Sequence, residues 1–202
     1  MEDLSARREF LRVALVAAGL CLLSFVGCRD RLTWLMEAAP VIVGVALAWI
    51  LPLAPSRLLG RLLLVHAVIL LVGAHWTYAE VPAGFWVRDA LGLSRNHFDR
   101  LGHVFQGLVP ALIAREILLR RALVVLPSAA SALGFACALA FSAFYELIEW
   151  WAALILGAGA DAFLGSQGDS WDTQSDMACA AIGAGLSMTL LARWHDQSIS
   201  RT

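Results

Sequence analysis

The chain contains no lysine: all 15 of its basic residues are arginine. Charge of either sign is sparse, at 15% of the residues, and the formal net charge is -1. The basic footprint that nucleic-acid binding requires is therefore missing, and neither a helix-turn-helix nor a finger spacing occurs, so no nucleic-acid partner is expected. Cysteine is scarce and scattered, at Cys21, Cys28, Cys137 and Cys179. Without a CxxC spacing the four imply neither a disulfide framework nor a zinc knuckle, and they read as buried structural thiols. No P-loop, Rossmann glycine pattern or HExxH is present. LGSQG departs from the GxSxG elbow because Leu stands at position 164, which removes Ser166 as an esterase nucleophile.

What the sequence does have is apolar length. Of its 202 residues 60% are hydrophobic, with a mean hydropathy of +0.73, which indicates a polytopic membrane protein surrounded by lipid bilayer. Crossing the hydrocarbon core takes about 20 apolar residues. Six spans are expected, at about 10–27, 34–54, 58–78, 97–119, 128–156 and 172–194, making residues 1–202 a single all-α integral membrane domain. The second is broken by Pro40 and Pro52, and the fourth is weakened by Asp99, His103 and Gln106. Alternation puts Arg7, Arg8, Arg12, Arg57, Arg61, Arg115, Arg120, Arg121, Arg193 and Arg201 on one side and Arg29, Arg31, Arg88, Arg95 and Arg100 on the other. The richer side is inside, so both termini are expected in the cytoplasm. Trp34, Trp76, Trp86, Trp150, Trp151 and Trp171 then fall at the outer interface, with Trp49 and Trp194 at the inner one. The N-terminal ARREFLR resembles a twin-arginine signal leading to a lipoprotein-like Cys28. Because membrane segments follow it, an anchor flanking the first span is the better reading.

Placed by depth, the ionisable residues are lopsided. His75, Glu80, His97, Asp99, His103, Glu146, Glu149, Asp169, Asp172 and Asp176 all fall in the outer half or at its rim. Residues three or four apart share a helix face. Asp99, His103, Gln106 and Pro110 form one stripe; Ser142, Glu146 and Glu149 a second; Asp172, Asp176, Cys179 and Gly183 a third. A charge near the membrane centre costs about 2.5–3.5 kcal/mol and usually faces the bundle interior. One shared cavity open to the outside is therefore expected, with Asp99, His103, Glu146, Glu149, Asp172 and Asp176 as candidate catalytic or metal-ligating residues. Several carboxylates with one imidazole suit Mn, Fe or Zn, and an all-oxygen subset suits Mg or Ca. Asp99 and His103 alternatively form a carboxylate-oriented general base. ExxE at Glu146 and Glu149 has no ExxH to complete a di-iron pattern.

Other polar residues have plainer readings. Glu37 either supports the cavity or pairs at the rim with Arg29 or Arg31. His66 reads as a packed histidine, Glu116 and Arg120 as an intrahelical ion pair, and His195 with Asp196 as solvated. Asp169 or Asp172 can cap the last span.

The segments NHFDRLGHVFQGLVPALIARE, SAFYELIEWW and AFLGSQGDSWDTQSDM resemble signature blocks of the YjdF family of bacterial inner-membrane proteins. The resemblance covers about the C-terminal half and implies a multi-pass inner-membrane protein of unassigned activity. A weaker similarity is to VanZ-like membrane proteins, with Asp99, Arg100 and His103 matching a first element, Glu146 or Glu149 a second, and Asp176 and Gly183 a third in which Ala180 replaces the expected Asn. Three functions stay open. One is an outward-facing site that binds a divalent metal or acts on an envelope lipid or lipid-linked ligand. Another is a proton- or cation-coupled transporter, against which stand the absence of an inverted repeat and of polar residues continuing inwards. The third is a structural protein whose polar seam only packs helices.

Overall fold

The structure, a computed structural model, describes residues 4–157 and 161–200; Arg201, counted above among the inner arginines, lies outside them. Among the described residues every element is helical. The long helices are α1 (Leu4–Phe25), α2 (Arg31–Ile50), α3 (Arg57–Trp76), α5 (Phe98–Arg120) and α6 (Pro127–Leu156). A short α4 (Pro82–Leu91) and the single turn α7 (Asp161–Leu164) lie in connections. The last long segment is α8 (Asp172–Leu186), continued through a π-helical stretch, Ser187–Leu191, into α9 (Ala192–Ile199).

Five segments are long and apolar enough to cross a membrane: α2, α3, α5, α6 and α8 through α9. Helix α1 carries Arg7, Arg8, Glu9 and Arg12 in its first turns, which shortens its apolar part. It is nonetheless built into the bundle. Ala17 and Cys21 pack with Trp34 and Ala38 of α2 and with Ala67 and Leu71 of α3, and Arg7 donates to the carbonyls of Leu51 and Leu53 where α2 ends. Helix α2 begins at Asp30, whose carboxylate accepts the Thr33 amide at 2.7 Å, an N-cap that also holds this carboxyl below its ordinary range. Most of the tryptophans sit exposed at the helix ends, as a belt requires, but Trp34 does not: it is buried, edge-on to Phe25, and donates its indole N–H to Ser24.

The helices form two groups. Helices α1, α2 and α3 pack on one another, α5, α6 and α8 do likewise, and α3 against α5 joins the two. Small residues set the spacing in the second group. A Cβ on Gly107 of α5 would run into the carbonyl of Ala180 on α8, and one on Gly183 of α8 into the carbonyl of Val104 on α5. One turn further along α5, where α6 joins the contact, a Cβ on Gly134 would lie 2.7 Å from the Ala111 carbonyl oxygen. Between membrane helices, where lipid removes the hydrophobic drive, such close backbone approach supplies much of the packing energy.

At the end of the bundle that holds the C-terminus of α5, the expectation of a solvated His195 fails. The π-helical stretch continues into α9, where His195 is fully buried, at 0% exposure. Its Nε2 lies 2.8 Å from Glu116 and its Nδ1 3.2 Å from Arg115. Glu116 also accepts from the Ser56 amide and hydroxyl, at 2.7 and 2.6 Å, and from Arg120 at 2.8 Å, so the i, i+4 pair is one edge of a larger clasp joining α3, α5 and α9. Asp196 alone is half exposed, 2.8 Å from Arg115.

Gly183→Val is expected to destabilise the fold by about 1–3 kcal/mol or more through overpacking, whereas Gly19→Ala, with nothing within 4 Å of the new Cβ, leaves it unchanged or slightly steadier. Thermal unfolding in detergent of the two variants beside the wild type measures the difference.

Candidate functional site

The other end of the bundle gathers the start of α2, the end of α3, the starts of α5 and α8 and the C-terminal half of α6. Its scaffold is the loop before α8. Gln167, at a φ of 49°, donates its amide nitrogen to the Asn96 carbonyl at 2.7 Å and accepts the Asn96 amide at 3.2 Å. Asn96, itself buried against Gly84, accepts from the Phe98 amide and donates to the Val81 carbonyl, which fixes where α5 begins. Asp169 makes a local turn by accepting the Trp171 amide at 2.9 Å.

Two arginines answer the acidity of this loop. Arg95 lies 2.7 Å from Asp172 and 3.3 Å from Asp169, and it donates to the Ser166 carbonyl. Arg100, on the first turn of α5, lies 2.8 Å from Asp172 and 3.2 Å from Asp169, donates to the Asp172 carbonyl, and forms a close ion pair with Asp176. From sequence, Arg95 and Arg100 read as rim charges that set topology, with Arg100 also part of the similarity to VanZ-like proteins. Their role was signalled by spacing: Arg100 falls one residue after Asp99 and three before His103, so a helix that turns Asp99 and His103 inwards also carries Arg100 to the α8 side.

Asp99, His103 and Asp176 converge. His103 Nε2 is 3.5 Å from Asp99 Oδ1 and 3.5 Å from Asp176 Oδ1, and one ligand atom from each residue falls within 4.8 Å of the other two. His103 and Asp176 are buried, and Asp176 is only 1% exposed. On the far side of the ring, His103 Nδ1 lies 2.7 Å from Gln106 Oε1, an acceptor that favours a proton on that nitrogen, while Nε2 faces the two aspartates. Glu146 approaches the same ring, with Oε1 3.9 Å from Nδ1, and this oxygen is buried without a hydrogen-bond partner. Ser142, one turn along α6, is also buried with an unpartnered hydroxyl.

The site continues into a cavity of about 220 Å³ between the two helix groups. Glu37, Tyr78, Asp99, His103, Tyr145 and Glu149 form its polar head. Of the two readings open for Glu37, the structure selects the cavity. Arg29 pairs with Glu80 instead, at 3.3 Å, and Glu37 is 2% exposed with no side-chain partner on either carboxylate oxygen. His66 lines the cavity too, its ring 6.2 Å from Phe105 and its Nε2 unpartnered. Of the six residues singled out by sequence, then, Asp99, His103 and Asp176 meet at one point, with Glu146 beside them. Glu149 faces the cavity, and Asp172 is held between two arginines.

The fold and site together define a helical membrane protein with a buried carboxylate–histidine centre beside an internal cavity. The chain belongs to the family described as predicted membrane protein (DUF2238), which it matches over residues 10–197. It is 56% identical over 180 residues to the inner membrane protein YjdF of Escherichia coli (strain K12), an alignment covering 87% of this chain and 85% of that one. The resemblance to the YjdF family read from three C-terminal segments thus extends over nearly the whole sequence. No solved structure matches.

Replacing Arg100 by Met would leave Asp176 buried and largely uncompensated, a loss of about 3–5 kcal/mol. The double variant Arg100→Met, Asp176→Asn is expected to recover part of it. A double-mutant cycle by thermal unfolding gives the coupling, and additive losses would mean that the pair does not interact.

Proposed function

We propose that this chain is a single integral domain of the bacterial inner membrane with six spans and both termini cytoplasmic. Its periplasm-facing centre binds a divalent metal and acts on an envelope lipid or lipid-linked ligand. The observation that carries the reading is the convergence of Asp99, His103 and Asp176 from α5 and α8, with ligand atoms within 4.8 Å of one another. One imidazole nitrogen with two carboxylates suits Zn, Mn or Fe. The surroundings support it. Gln106 on Nδ1 is the outer partner that a metal-binding imidazole uses to fix its tautomer, and Arg100 on Asp176 orients a ligating carboxylate, which has lone pairs for both. Glu146 and Glu149 complete the wall, and Asp172 acts by positioning Arg100. A bound metal supplies Lewis acidity and lowers the pKa of a coordinated water. The protein's own groups hold the ligand, and an unpartnered Glu146 oxygen stands ready to exchange a proton.

Below Gln106 the cavity wall becomes apolar, with Val109, Pro110 and Ile113. That favours a site closed towards the cytoplasm over a path for protons or cations. The inner-membrane location rests on the likeness to YjdF and on the apolar helices, and the orientation on the arginine count.

Elemental analysis of the purified protein is expected to give about one equivalent of a divalent transition metal, lost in both Asp176→Asn and His103→Ala. A metal-free wild type, or metal retained in both variants, would count against the centre. In a cysteine-free background, a membrane-impermeant thiol reagent is expected to label Trp171→Cys in intact cells and to leave Trp194→Cys unlabelled; the reverse pattern would invert the topology.

A further inference from the structure

The cavity does not end beneath the polar head. It runs on between the helix groups, past Pro40, Gly44 and Ala48 of α2, and its opposite wall includes Phe141 of α6. Helices α2 and α6 both pack on α7, and their backbones scarcely approach each other along the rest of their length. Gly44 and Phe141 stand on these two helices. Both line the cavity and both are exposed, inside helices long and apolar enough to cross a membrane, so a mouth at this point would give onto hydrocarbon. Buried Phe163 on α7 closes the cleft at its polar end. An apolar channel with a lateral mouth in the lipid region and a polar head at one end matches an amphiphile in both shape and polarity.

The head also selects a sign of charge. Carboxylates of Glu37, Asp99 and Glu149 face the cavity, with His103 as the one basic group of the polar head, while Arg95 and Arg100 are engaged by Asp169, Asp172 and Asp176 on the α8 side. Glu37 is the telling group. It comes from α2, away from the α5–α8 centre, it is buried, and no side chain hydrogen-bonds either of its oxygens, the Tyr78 backbone N–H being the donor that approaches them. A buried carboxylate left unpaired is costly, and a charge-assisted hydrogen bond from a ligand ammonium would remove that cost. Tyr78 and Tyr145 line the same part of the cavity, and aromatic rings near a carboxylate suit a cation.

We propose that the cleft between α2 and α6 binds an aliphatic amphiphile with a cationic amino head, which enters sideways from the bilayer and places its ammonium group on Glu37. This deepens the reading above, since it takes the site to serve a membrane-borne ligand, but it does not depend on bound metal.

The probe is a long-chain alkylamine carrying a photoreactive diazirine in its chain, with the matching alcohol and carboxylic acid as controls, applied to the full-length protein in phospholipid vesicles. The amine is expected to label peptides of α2 and α6, at least about tenfold more than either control, and excess unlabelled amine is expected to suppress it. Glu37→Gln is expected to lower this labelling by about tenfold or more while keeping wild-type metal content and thermal stability. Gly44→Trp, placed where a new Cβ meets nothing within 4 Å, is expected to fold and to block labelling by filling the mouth. Equal labelling by all three probes, or full labelling of Glu37→Gln, would overturn the amino head. Undiminished labelling of a folded Gly44→Trp would overturn the lateral mouth. Specific amine labelling of a metal-free wild type would sink the metal centre and leave this site standing. Stoichiometric metal without specific amine labelling would do the opposite.

Discussion

The structure turns on the contact of α5 with α8, where two backbones meet without side chains between them. Gly107 lies against the Ala180 carbonyl and Gly183 against the Val104 carbonyl, and neither has room for a methyl group. His103 is one turn before Gly107, and Asp176 is one turn before Ala180. The same close crossing therefore brings imidazole and carboxylate to 3.5 Å. Further apart, the helices would leave Asp176 out of reach of both His103 and Arg100, a buried charge without a partner. The glycines thus fix the chemistry as well as the packing.

Electrostatic balance follows from that contact. The acidic loop before α8 is matched by Arg95, just before α5, and Arg100, in its first turn, so Asp169 and Asp172 serve to place arginines. Asp99 and Asp176 remain for His103, and Glu37 and Glu149 remain for whatever fills the cavity. At the opposite end the Ser56–Glu116–His195–Arg115 clasp is closed, every member answered by another. One end is satisfied and the other keeps unpartnered polar atoms at Glu37, Ser142 and Glu146, and this contrast supports the proposal of a site there.

Much of this was legible in the sequence because helical period and membrane thickness are strong local constraints. The segments expected at 58–78, 97–119 and 128–156 became α3, α5 and α6 within two residues at each end. The Asp99–His103–Gln106 stripe kept its face, and Asp176 met it. What was not legible depended on which helices touch. Nothing local to Glu37 chose between Arg29 and the cavity. Nothing near QGDSWD showed that its cations lie some 70 positions away, as in the pairing of Arg95 with Asp172 across 77 positions. His195 looked solvated because it follows the last apolar run, but Glu116 and Arg115 of α5 hold it inside. Trp34 looked like a belt residue until Ser24 and Phe25 covered it.

The central claim, that α5 and α8 build a single metal-binding centre around His103, is tested most directly by pulsed electron paramagnetic resonance of the purified protein loaded with Mn²⁺. The account predicts a nitrogen hyperfine coupling from one directly coordinated imidazole, abolished in His103→Ala and retained in His66→Ala. Bound Mn²⁺ with no nitrogen coupling, or a coupling that survives in His103→Ala, would contradict it.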